Sequence, residues 1–208
     1  MTTAHVLQRL NGDVKLGELK RLAREIKRDH DLALALWATG SYHPRMLAVL
    51  ILDRQRIDQA LVDRLTADLD VHSEDEQTRV MEWLMANQLA KAKPTIALME
   101  SWRQSASPLQ RRTYWYYQGR KRWTGQASPP DTAELLGVLE SDLAEEVPMV
   151  QWAMNFLAGW IGVFDPAFRA RCVALGERIG LYRGDPVPRG CTPAYLPEFI
   201  AVEVGKRA

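Results

Sequence analysis

The chain predicts an all-α fold, organised as a helical-repeat solenoid of antiparallel helix pairs. Apolar residues recur at three-and-four spacing almost throughout the 208 residues, while period-two alternation and Asn-Gly hairpin signals are scarce. The stretches between the apolar segments are short, so consecutive helices should run antiparallel and stack in pairs. The length suits one domain with a sizeable core, and a single domain over residues 1–208 is expected.

In chain order, helices are expected at about Lys15–Arg28, Asp31–Ala38, Pro44–Asp53, Asp58–Leu69, Glu74–Leu89 and Lys93–Gln104. The fifth opens on Ser73-Glu-Asp-Glu76, which fits a capping box. Val80, Met81, Leu84 and Met85 mark its core side, and Trp83 and Asn87, four apart, share an adjoining face. Further helices are expected at Pro108–Trp123, Asp131–Leu143, Pro148–Val163, Pro166–Ile179 and Pro193–Lys206. Ser107-Pro108, Asp165-Pro166 and Thr192-Pro193 each set a capping side chain before a proline suited to the first helical position. Gly125–Pro130 and Gly180–Gly190 read as irregular loops. No repeat shows strict identity, which fits HEAT-like units, among the most divergent repeats. Such a stack offers a concave face to an elongated ligand, and a globular helical bundle is the competing architecture.

A formal net charge of +1 excludes a generally basic, histone-like protein, so an anion site must be local. Charge is segregated: Ser101–Pro130 contains no carboxylate, whereas Asp63, Asp68, Asp70, Glu74, Asp75 and Glu76 crowd another stretch. This is the pattern of a field that orients a polyanion, or of two ordinary solvated faces. Cys172 and Cys191 form no CxxC pair, and His5, His30, His43 and His72 lack ligand spacing, so no metal site is expected. Met1–Leu10 lacks the apolar core of a signal peptide, and no run approaches the roughly 20 apolar residues that span a bilayer. A reduced, cytoplasmic protein without membrane contact is the expectation. Nucleophilic triads, a phosphate-binding loop and a dinucleotide fingerprint are absent, and no cofactor is expected.

The segment PLQRRTYWYYQGRKRW, Pro108–Trp123, carries five cationic and five aromatic side chains. At 3.6 residues per turn, Arg111, Trp115, Gln118 and Arg122 fall on one stripe, with Arg112 and Gly119 at its margin. Guanidinium groups give charge and fixed donor geometry for phosphates, and this stripe is expected to bind nucleic acid. The competing reading makes the aromatics core and the arginines solvated. Arg189, in the second loop with Arg183, is a further candidate anion contact. Trp152, Phe156, Gly159 and Val163 form another stripe, read either as the wall of a cleft or as a helix–helix contact.

The order of LWATGSYHPRMLAVLILD (Leu36–Asp53), EWLMANQL (Glu82–Leu89), LQRRTYWYYQ (Leu109–Gln118) and MVQWAMNFLAGW (Met149–Trp160) resembles the DNA alkylation repair family of HEAT-like repeat glycosylases. The resemblance implies duplex DNA held on a basic concave face and hydrolysis of N-glycosidic bonds of cationic N3- or N7-alkylpurines without base flipping. It further implies catalytic roles for Trp83, Asn87 and Phe156, with Arg111 near the lesion's backbone. Two positions depart from the family pattern: Asn87 stands where the family carries a catalytic Asp, and Phe156 where better-studied members carry Trp. A neutral amide keeps the shape of the carboxylate but loses the charge that stabilises an oxocarbenium-like sugar. The alternative is a catalytically degenerate paralogue that serves as a nucleic-acid-binding or protein-binding scaffold.

Overall fold

A computed structural model describes residues 1–12, 14–124 and 130–207. Among these the secondary structure is entirely helical, and no helix is long and apolar enough to cross a membrane. The first helix, α1 (Thr3–Arg9), was not expected: it buries only Val6, so it leaves almost no periodic signal. α2 (Leu16–Ile26) turns Leu19 and Leu22 inward and polar residues outward. α3 (His30–Trp37) is capped by Asp29, whose carboxylate accepts from the Leu32 amide at 3.0 Å. α4 (Tyr42–Ile51) is buried on nearly every side, and α5 (Gln59–Ala67) is capped by Asp58, which accepts from the Leu61 amide at 2.7 Å. α6 (Glu74–Asn87) opens with the expected Ser73/Glu76 capping box. α7 (Lys93–Glu100) follows with Pro94 in its first turn.

Several helices end earlier than expected for a common reason. The chain tightens into 3₁₀ turns at Asp68–Val71, Leu89–Lys91 and Ser101–Gln104, which satisfy terminal carbonyls while changing direction. α8 (Pro108–Trp123) has the expected bounds, and Ser107 Oγ accepts from the Gln110 amide at 3.4 Å. α9 (Thr132–Asp142), α10 (Pro148–Phe164), α11 (Arg169–Ile179) and α12 (Leu196–Gly205) complete the fold. The loop expected at Gly125–Pro130 lies, apart from Pro130, outside the described residues.

Two expected helix starts are corrected. Asp165 closes α10 rather than opening the next helix, and Pro166 lies in a turn in which the Phe168 amide donates to the Asp165 carbonyl. α12 begins at Leu196, with Pro197 in its first turn; Thr192 donates instead to the Glu203 carboxylate at 2.7 Å. At Asp165 a local turn replaces the expected cap, and at Thr192 a tertiary partner takes the side chain that the capping pattern would use.

The chain forms two compact units, Met1–Gln110 and Arg111–Ala208. In the first, α4 is the centre and packs against α2, α3 and α6. In the second, α10 is the centre and packs against α9, α11 and α12. Close approach to α10 needs Gly162, where an added Cβ would lie 2.5 Å from Ile200 of α12.

Candidate nucleic-acid interface

Trp83 and Asn87 share a half-buried face of α6, as the spacing requires. The Trp83 indole donates to the Met46 carbonyl at 3.1 Å, which fixes the ring against α4. The Asn87 amide donates to the Trp83 carbonyl one turn back at 2.8 Å, and Arg54 donates to the Asn87 carbonyl at 3.3 Å. Over the Trp83 ring sits the Lys20 ammonium, 5.4 Å from its centroid. A cation held there attracts an anionic backbone and repels a cationic purine.

Lys20 belongs to a basic surface that is not among the sites expected from the sequence. Lys15–Arg28 contains six cations and two carboxylates, and all six cations are exposed. The carboxylates are committed: Glu25 accepts from Arg9 at 2.6 and 3.2 Å, and Glu18 accepts from the Lys15 backbone amide at 3.3 Å. Lys20 and Arg24, four apart, lie along one side of α2, and Lys27 follows at its C-cap, where a φ of 68° departs from helical geometry. The composition carried this signal, but Glu18 and Glu25 interrupt the run and their neutralisation is visible only in three dimensions.

α8 differs from its expected role. Trp115, Gln118 and Arg122 are 2, 2 and 1% exposed, and Arg112 is 5% exposed, so most of the proposed phosphate stripe points inward. Arg122 donates to the Gln118 carbonyl at 3.1 Å and to the Thr132 hydroxyl at 2.7 Å. Burial lowers its basicity, opposed by the charges of Asp131 and Asp165. Arg112 places its guanidinium 4.9 Å from the Trp152 ring centroid, and Trp115 packs edge-on against Tyr114 at 4.9 Å. Arg111 is more accessible, but it holds Glu146 in a forked pair at 2.9 and 3.0 Å. A buried or forked guanidinium has little to offer a phosphate, so these residues shape the helix surface rather than form it. The outward cations of α8 are Arg120, over Trp123, and Lys121, over Tyr117, neither of which was singled out. Gly119 allows a close approach of α10: an added Cβ would lie 2.6 Å from the Phe156 ring and 3.2 Å from the Leu157 Cα.

In the loop after α11, Arg183 donates to the Tyr195 hydroxyl at 2.8 Å and forms a structural corner, whereas Arg189 is fully on the surface. The acidic stretch is partly structural too. Asp68 accepts from the Trp37 indole at 3.0 Å, and Asp63 accepts from Gln59 and Gln110 at 2.6 and 2.7 Å.

Phe156 stands in an aromatic cluster of the second unit. It stacks on Trp152, with centroids 5.5 Å apart and planes 10° apart, and meets Tyr116 at 5.1 Å and Trp160 at 6.1 Å. Trp152 and Phe156 line a cleft of about 210 Å³ together with Asn155, Thr192 and Phe199. Beside it, Glu203 accepts from Lys206, Thr192 and Arg207 at 2.7, 2.7 and 2.6 Å. Burial alone would raise the Glu203 pKa, but these three donors outweigh it and hold the carboxyl at about 2. The Cys172 thiol is buried and pushed up to about 12, so it is inert.

Comparison with known proteins adds a family. The family described as DNA alkylation repair enzyme matches residues 11–167. No curated protein matches the chain. One solved structure, described as representing a new family of proteins related to the HEAT-like repeat DNA glycosylases with affinity for branched DNA structures, is 16% identical. It superimposes with a TM-score of 0.69 over 99% of this chain and 88% of that one, so the fold is HEAT-like.

Proposed function

The chain belongs to the DNA alkylation repair enzyme family, and on that premise we propose that it binds DNA through exposed cations and does not itself hydrolyse alkylpurine glycosidic bonds. The observation that carries this reading is the pairing of Lys20 with Trp83. The face on which a cationic purine would stack already lies beside an ammonium, 5.4 Å from the ring centroid. Asn87, four residues on, brings no negative charge, and its amide donates to the Trp83 carbonyl. In a dry site the missing carboxylate is a loss of several kcal/mol, hence of orders of magnitude in rate. Phosphates, by contrast, fit what α2 and its C-cap display: Lys20 and Arg24 on one side of the helix, with Arg21 and Lys27 adjacent, all exposed. The affinity for branched DNA reported for the structural relative makes branched substrates worth testing beside plain duplex.

The test measures fluorescence anisotropy of labelled duplex and junction DNA at low salt, with wild type and the double variant Lys20→Glu, Arg24→Glu. Wild type should bind and the double variant should not. In parallel, base release from methylated DNA should stay at background for wild type. Release by wild type above background overturns the non-hydrolytic reading, and release by Asn87→Asp alone would show that the lost charge was the missing element. Failure to retain any DNA overturns the DNA-binding reading and leaves the protein-binding scaffold.

A further inference from the structure

The aromatic cleft of the second unit has the features of a base-binding site. Trp152 is 38% exposed, and it continues into Phe156 as a parallel stack. Tyr116, at 5.9 Å from Trp152, and Arg112, at 4.9 Å, hold that stack in place from α8. Phe199 is seated so tightly on α10 that a Cβ at Gly159 would lie 2.8 Å from its ring, so this wall is rigid. Asn155, which also lines the cleft, donates to the Ala194 carbonyl at 2.9 Å, which fixes its amide. At about 210 Å³ the volume is too small for a drug-sized ligand and suits one planar ring system.

The rim supplies the complementary charge. Lys206 donates to Thr192, a cleft residue, at 2.8 Å. Lys206 and Arg207 share the single carboxylate of Glu203, so the group keeps a net positive charge. An exposed indole, a fixed amide and an adjacent cation match one building block: a base joined to its phosphate. A paired base cannot enter, because its faces are already stacked in the duplex.

We propose that this cleft receives an unpaired nucleobase, as exposed at a branch point or single-stranded flap, stacked on Trp152 and Phe156 with its phosphate near Lys206. The proposal rests on the DNA-binding reading and gives it a reason to favour interrupted over continuous duplex. Base–aromatic stacking of this kind changes affinity by roughly five- to a hundred-fold.

The experiment compares three DNAs by anisotropy: a blunt duplex, the duplex with a single-stranded flap, and the same flap with abasic residues, which preserves every phosphate. The full-length wild type should bind the base-bearing flap about ten-fold more tightly than the abasic one. Trp152→Ala should abolish that difference while leaving the affinity for blunt duplex, and Trp152→Phe should keep most of it. Equal binding of the two flaps by wild type overturns the proposal, as does a difference that survives in a folded Trp152→Ala. Because the abasic comparison uses wild type alone, it decides the matter even where a variant does not fold. Duplex binding without base preference overturns this inference only, whereas no binding to any of the three overturns it together with the reading it rests on.

Discussion

Arg122 shows how far a residue's chemistry can be from its location. Its type and its neighbours suit a phosphate contact, yet its guanidinium lies inside the protein, bonded to the Gln118 carbonyl and the Thr132 hydroxyl. Arg122→Met should therefore act on stability, costing about 3 kcal/mol because buried partners lose their donor. Urea unfolding measures this, and DNA affinity should stay at the wild-type value; the reverse result would return Arg122 to the interface. At Asn87 the sequence was sufficient, since no environment turns an amide into a carboxylate. Trp83 needed the structure: nothing in the spacing of α6 announces that Lys20, from α2, would settle on its ring.

At the scale of elements, α8 and α2 exchange the roles their compositions suggest. α8 has the richest run of cations and aromatics, but a helix at the edge of a packed unit must bury one face. Here the buried face includes Arg112, Trp115, Gln118 and Arg122. α2 has a narrow apolar stripe of Leu19 and Leu22, which frees the rest of its surface for charge. The contact between α8 and α10 depends on Gly119, opposite Phe156 and 3.2 Å from the Leu157 Cα once a Cβ is added. Because neither a ring nor backbone gives way easily, Gly119→Ala should destabilise by about 1–3 kcal/mol. The lower melting temperature should come with a change in tryptophan emission, as Trp152 and Trp123 both touch Phe156. A variant with wild-type melting would show that this contact tolerates expansion.

For the whole molecule, a net charge of +1 means that any attraction to DNA comes from local surfaces, not from the overall field. With Lys20, Arg21, Arg24 and Lys27 as the principal contacts, few counterions are released. A plot of log affinity against log salt for duplex DNA should then have a slope of about −3 to −5, since each phosphate neutralised contributes about −0.9. Titration with potassium chloride checks this, and a slope near −10 would require a far larger basic surface. The all-helical class, the bounds of α8 and the capping box of α6 were legible because each is written in local spacing or capping chemistry. α1 escaped because a single buried residue carries no period; α11 starts only after a local turn at Asp165, and α12 starts late because Thr192 answers to Glu203.

The sequence by itself determined that this protein is helical, that its family is that of the alkylation repair enzymes, and that position 87 carries a neutral amide. Those properties reside in periodicity, ordered motifs and side-chain identity, which folding does not alter. Only the tertiary structure decided which cations face outward, that Lys20 covers Trp83, and that Trp152, Asn155, Phe156 and Phe199 line one cleft. Accessibility and juxtaposition depend on how helices far apart in the chain rotate to bury their apolar sides, and no local pattern encodes that rotation.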